Sequence, residues 1–202
     1  MIRPRYLVSV ALAIALGACA SAPMRYYTLI APAPDAAAAP APAHASFRFE
    51  LMPVGIPAQV DQPQLVVREG GQGMAVLDGA RWIAPLGDEV RGALSADLSR
   101  ELGARDVSGL PAGGAPVLRI KVDLRRFDSA PGRYALVEAA WSVHALKSGT
   151  QLSCTSRVEE SVTGGYDDLV AGHQRALAEL ARRIASVAPA VAAGTAPACP
   201  AG

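Results

Sequence analysis

Residues 56–103 read IPAQVDQPQLVVREGGQGMAVLDGARWIAPLGDEVRGALSADLSRELG, and the fold class depends on how that stretch is parsed. Its second half places apolar side chains at Leu86, Val90, Leu94, Leu98 and Leu102, one every fourth residue. Such spacing keeps them on one slowly drifting stripe of a helix, and Gly103 falls where a left-handed C-terminal cap is expected. The first half is extended. Ile56 to Pro63 forms a short apolar run and turn, Gln64 to Arg68 a strand, Gly70 to Gly73 a glycine-rich turn, and Met74 to Leu77 a second short strand; Asp78-Gly79 makes the next turn. No catalytic pattern occurs in this stretch, which reads as scaffold and contact surface.

Downstream, Val117 to Asp128 alternates cleanly, with Leu118, Ile120, Val122 and Leu124 on one face and Arg119, Lys121, Asp123 and Arg125 on the other. Pro131-Gly132 marks a hairpin turn. Tyr134 to Leu146 then carries Ala135, Val137, Ala139, Trp141 and Val143 on a common face, and Gln151 to Val162 carries Leu152, Cys154 and Val158. One-sided alternation over three consecutive segments predicts an antiparallel meander covered on one face. The cover comes from the first helix and from a second, Asp167 to about Ala188, with Leu169, His173, Ala176, Leu177, Leu180, Ile184 and Val187 at helical spacing. Upstream, Arg25 to Ile30 is a strand of β-formers, and Ser46 to Leu51 alternates Phe47, Phe49 and Leu51 against Arg48 and Glu50 until Pro53 and Pro57 confine it to an edge or a bend. The order β-β-β-β-α-β-β-β-α predicts an α+β fold: a mainly antiparallel β-sheet with two helices packed on one face.

The N-terminus has a different character. Arg3 and Arg5 precede an apolar run, Tyr6 to Leu16, followed by Leu16-Gly17-Ala18-Cys19. A charged segment, a short apolar segment and a small-residue site ending in cysteine are the marks of a bacterial lipoprotein signal. The apolar run is too short to span a bilayer comfortably. Residues 1–18 are therefore expected to be removed and Cys19 acylated. Two or more acyl chains anchor stably where one would not. Ala20 and Ser21 lack an inner-membrane retention aspartate, which favours the outer membrane, facing the periplasm. Residues 19–24 are a tether so short that the first strand starts within roughly 20 Å of the lipid. The expected organisation is one domain over residues 25–193, with an Ala/Pro-rich linker at 31–45 and an Ala/Pro tail at 194–202.

Besides Cys19, the chain has two cysteines, Cys154 and Cys199, an even pair for an oxidising compartment. A disulfide closing the loop between them would contribute about 4 kcal/mol in the chain-entropy model. The alternative is a buried free Cys154 and an unpaired Cys199 in the tail.

Composition narrows function. The 202 residues are 51% hydrophobic and 18% charged with a net charge of +1, and no basic cluster supports nucleic-acid binding. The three histidines do not form a site: His44 lies in the linker, His144 on the polar side of a strand, and His173 in an apolar helix stripe, where it is a packing residue rather than a base. Asp167-Asp168 suits a helix start better than a metal. Gly70-Gly71-Gln72-Gly73 lacks the lysine and the following helix of a phosphate loop. Trp82 is expected in the core beneath the first helix, the alternative being an interface residue. The sequence thus predicts no enzyme, no metal site and no cofactor.

The lipoprotein signal, Tyr26-Tyr27-Thr28-Leu29, the Val60-Asp61-Gln62-Pro63-Gln64-Leu65-Val66 run, and Arg81-Trp82 with Pro85-Leu86 resemble the PqiC/YmbA family of ABC-type transport auxiliary lipoproteins. The likeness runs through the C-terminal helix. It implies a non-catalytic subunit that docks a periplasmic MCE-domain assembly, with its inner-membrane transport complex, at the outer membrane during lipid transport and so supports membrane integrity. The long linker and the Cys154/Cys199 pair depart from the family pattern, and homo-oligomerisation is left open. A different reading of the same architecture is a free-standing envelope lipoprotein that binds peptidoglycan or another envelope protein. Under the first reading, Asp61, Gln62 and Gln64 are expected to contribute to the partner contact. Pro57 and Pro63 stiffen the Ala58–Gln62 segment, Gln64 follows directly after it, and stiff loops lose little entropy on docking.

Overall fold

The longest strand sets the frame for the rest of the chain. In the structure, a computed structural model describing residues 23–32, 45–111 and 113–201, Val117–Ala130 (β5) pairs antiparallel with Tyr134–Ala145 (β6), which pairs in turn with Gln151–Ser161 (β7). The alternation predicted from sequence is realised: Leu118, Ile120, Val122 and Leu124 are buried, while Arg119, Lys121 and Arg125 face solvent. A bulge between Leu124 and Arg126 shifts the register, and the strand ends on a run of four buried residues, Phe127 to Ala130.

Arg48–Leu51 (β2) joins the other side of β5 in parallel, giving a four-stranded sheet of order β2-β5-β6-β7. Arg25–Tyr27 (β1), Gln64–Arg68 (β3) and Met74–Trp82 (β4) form a second, three-stranded sheet of order β1-β4-β3, with β1 parallel to β4. The α+β class stands, but the strands divide between two mixed sheets. The division was hidden because β1 and β2 each find a parallel partner far along the chain, a pairing that local alternation does not encode.

Two boundaries differ from expectation for identifiable reasons. Asp78-Gly79 is not a turn: β4 runs through it, Gly79 has no positive φ, and the irregular pairing with β3 between Gln64 and Val66 absorbs the local shift. After it the strand buries Ala80 and Trp82, whereas Met74 and Val76 before it are exposed. The second helix, Tyr166–Ala192, outruns its expected end and contains Pro189. Proline costs a helical hydrogen bond, but Val191 beyond it is fully buried, and the backbone bonds Ala193 N to Pro189 O and Gly194 N to Val191 O close the end.

The helices are Leu86–Leu102 (α1) and Tyr166–Ala192 (α2). Helix α2 packs across β6 and β7, and α1 lies beside it. Gly103 caps α1 in the left-handed conformation, φ 57°. The α1 stripe also contains a carboxylate: buried Glu89 accepts hydrogen bonds from Thr28 Oγ1 and Leu29 N, both at 2.8 Å, and so ties the segment after β1 to the helix. Helix α2 has no side-chain cap at Gly165. Asp167 and Asp168 sit in its first turn, where they favour the helix dipole without capping.

An ion pair joins the sheets. Arg68 on β3 grips Asp128 on β5, Nε to Oδ1 at 3.0 Å and Nη2 to Oδ2 at 2.8 Å, and Arg126 adds a bond of 2.7 Å. Burial pushes the Asp128 carboxyl up, but the hydrogen bonds from Arg68 and Arg126 outweigh it and hold the group below its ordinary range.

Candidate partner-binding groove

The segment 57–63 is fixed at both ends. Val60 N donates to Pro57 O at 3.0 Å and Gln62 N to Val60 O at 2.9 Å, while the Val60 side chain is buried in the core. At the other end Trp82 N donates to Pro63 O at 2.8 Å. Between these anchors Asp61 is exposed and Gln62 half-buried. Together with Pro63, Trp82, Ile83 and Pro85 they line a groove of about 400 Å³. Trp82 forms its floor, only 6% exposed and meeting Phe127 edge-on at 6.1 Å. Ile83 stands on the rim, 62% exposed.

Of the three residues proposed from sequence, Asp61 and Gln62 therefore share the groove. Gln64 does not line it; it opens β3 opposite Arg81 on the smaller sheet. Ile83 was missed, although an isoleucine between a strand-ending tryptophan and a proline could have signalled an exposed apolar rim. The glycine-rich turn lies at the opposite end of β3 from the groove. Gly70 and Gly71 have φ of 101° and 50°, and the turn is closed by Gly73 N to Gly70 O at 3.0 Å and leads into a strand, not a helix.

His173 is fully buried, stacks on Phe127 with ring centroids 3.9 Å apart, and its Nε2 lies 2.8 Å from Ser129 Oγ. A serine beside a histidine can form a nucleophile and its base, but Ser129 is buried as well. Burial pulls the imidazole down to about 3, with only the Asp128 charge acting in the other direction, and Nδ1 has no hydrogen-bond partner. The pair is neutral packing in the core. His144 lies half-buried between Arg119 and Gln151 on the neighbouring strands. Among the described residues no group of three or more His, Cys, Asp or Glu side chains converges to hold a metal.

Cys154 and Cys199 have their sulfurs at bonding distance and their Cα atoms 5.7 Å apart, joining the tail after α2 to β7. They border a second hollow of about 520 Å³ that also takes in Lys121, Asp123, Arg125 and Trp141. Cys19, the signal segment, His44 and most of the linker lie outside the described residues. No described helix is long and apolar enough to cross a membrane.

Comparisons with known proteins extend this description. The profile of a family described as "ABC-type transport auxiliary lipoprotein component" matches residues 27–185. No curated protein matches the sequence. A crystal structure of an uncharacterized protein superposes with a TM-score of 0.63 at 18% identity, covering 82% of this chain and 98% of that one. The Xanthomonas campestris protein XCC0632 gives a TM-score of 0.55 at 18% identity, covering 84% and 96%. At such identity these two establish a shared fold.

Proposed function

Because the chain belongs to the family of ABC-type transport auxiliary lipoprotein components, whose role is auxiliary to transport and not catalytic, we propose that it is the outer-membrane lipoprotein subunit of an intermembrane lipid transporter. In this reading Cys19 is acylated, the domain faces the periplasm, and it docks a periplasmic MCE-domain protein that is joined to the inner-membrane complex, supporting membrane integrity. The observation that carries the reading is the groove at the 57–63 turn. It offers a rigid polar lip, Asp61 and Gln62, beside an exposed isoleucine over a buried tryptophan. A stiff lip around an apolar anchor is what a protein partner needs, because little ordering entropy is lost on docking.

Asp61→Arg combined with Gln62→Arg tests it. Neither side chain is part of the core, so thermal unfolding should stay within a degree or two of wild type, since surface changes usually alter stability by about 0.5 kcal/mol or less. Co-purification of the MCE protein should fall sharply. Co-purification that survives the double substitution would assign the groove a purely structural role.

A further inference from the structure

Six of the exposed large apolar side chains lie at the two ends of the molecule, while Ile30, against Gly92, Val76, opposite Val66, and Ile83 lie along its sides. At one end meet the β5–β6 turn, the β7–α2 loop and the start of β1: Gly132 N donates to Gly164 O at 2.9 Å, and Arg25 lies 3.8 Å from Asp167. Exposed here are Met24, Tyr26 and Tyr166. The β3–β4 hairpin, with exposed Met74, belongs to the same end, because Val67 packs with Ala135, Val162 and Leu169. At the opposite end Leu146 N donates to Val117 O at 3.1 Å, and Leu146 and Leu110 are exposed. The length of β6 separates the two ends by ~40 Å at ~3.3 Å per residue.

Only residues 20–23 intervene between Cys19 and Met24, so Met24 lies within ~18 Å of Cys19 whatever path the chain takes. We propose that the end bearing Met24, Tyr26 and Tyr166 seats on the phospholipid surface in which Cys19 is anchored, with the Leu110/Leu146 end held away from the bilayer. The inference rests on the lipid-anchor reading above. The tether selects lipid as the occupant: it is too short to lift this end clear of the headgroups by more than a fraction of the domain's length. The residue types agree, since tyrosine places an apolar ring and a hydroxyl at the lipid–water boundary and methionine adapts to an irregular apolar surface.

Charge does not drive the contact. Arg25 and Arg133 are exposed at this end, but so are Glu69, Asp167 and Asp168. With no excess of positive charge, seating depends on apolar and aromatic contact and is insensitive to ionic strength. It leaves the sides of the domain, including the 57–63 turn and Ile83, open to a protein.

The test uses the full acylated protein in vesicles of phosphatidylethanolamine and phosphatidylglycerol. Tyr166→Cys and Leu146→Cys are made separately and labelled with an environment-sensitive fluorophore, and the vesicles carry a nitroxide on the lipid headgroup. Quenching at position 166 should exceed that at position 146 several-fold and persist at high salt. Vesicle-bound protein with equal quenching at both positions, or stronger quenching at 146, would overturn the seat while leaving the anchor intact. Protein that neither floats with the vesicles nor shows quenching would overturn the seat and the lipid-anchor reading together.

Discussion

His173 shows what a single residue costs and specifies in this core. Its ring is stacked on Phe127, bonded to Ser129 and sealed from water, with its pKa brought to about 3 by burial. The unfolded chain would hold the same proton near 6.5. Between those values the unfolded state binds a proton that the folded state refuses, so stability falls as pH drops below about 6.5 and is flat above it for this group. The slope is at most ~1.4 kcal/mol per pH unit. Asp128 acts in the same direction but lower: its depressed carboxyl contributes stability above 3.8 that is lost as pH falls through the folded value. Denaturant unfolding at pH 7 and pH 5 should therefore show a loss of about 2 kcal/mol in wild type, much reduced in His173→Gln. A wild-type midpoint unchanged between those two pH values would mean that the ring takes up its proton within the fold.

At the scale of elements, the tail after α2 gives the next test. With Cys154 and Cys199 joined, the tail is clamped to the edge strand β7. That edge is also shielded by α2, since Arg183 Nη1 donates to Arg157 O and Arg175 Nη2 to Ser161 O. Free-thiol labelling of the denatured, unreduced mature protein should find neither sulfur, and Cys199→Ser should lower stability by about 2–4 kcal/mol. Two labelled thiols would make Cys154 an ordinary small core residue.

How far such elements could be read from sequence depended on how local their causes were. The α1 stripe, its Gly103 cap, and the meander with its turn at Gly132 rest on neighbouring residues, and the pattern disclosed them. The smaller sheet did not show itself, because β1 adds only three residues whose partner, Ala80 to Trp82, lies beyond an apparent Asp78-Gly79 turn. The groove was legible in part: the prolines drew attention to Asp61 and Gln62, while Gln64, at the start of its strand, pairs with Arg81 outside the groove. Ile83 becomes a rim residue only once β1 and β4 are paired, with Ile83 N donating to Tyr27 O at 2.9 Å.

The whole molecule has a direction. The first strand starts at the end where α2 begins, the domain extends ~40 Å away from it, and the 57–63 groove opens on the smaller sheet between the two. In the proposed reading the protein acts by position, holding a second protein at a fixed distance from a membrane. The central claim concerns the identity of that second protein. Its most direct measurement is affinity purification of the tagged, full-length chain from detergent-solubilised envelope, followed by identification of what co-elutes. We expect an MCE-domain protein together with the ATPase and permease of its transporter. Elution with peptidoglycan-binding partners alone, or with no partner from an envelope in which the MCE protein is present and soluble in the same detergent, would contradict the account.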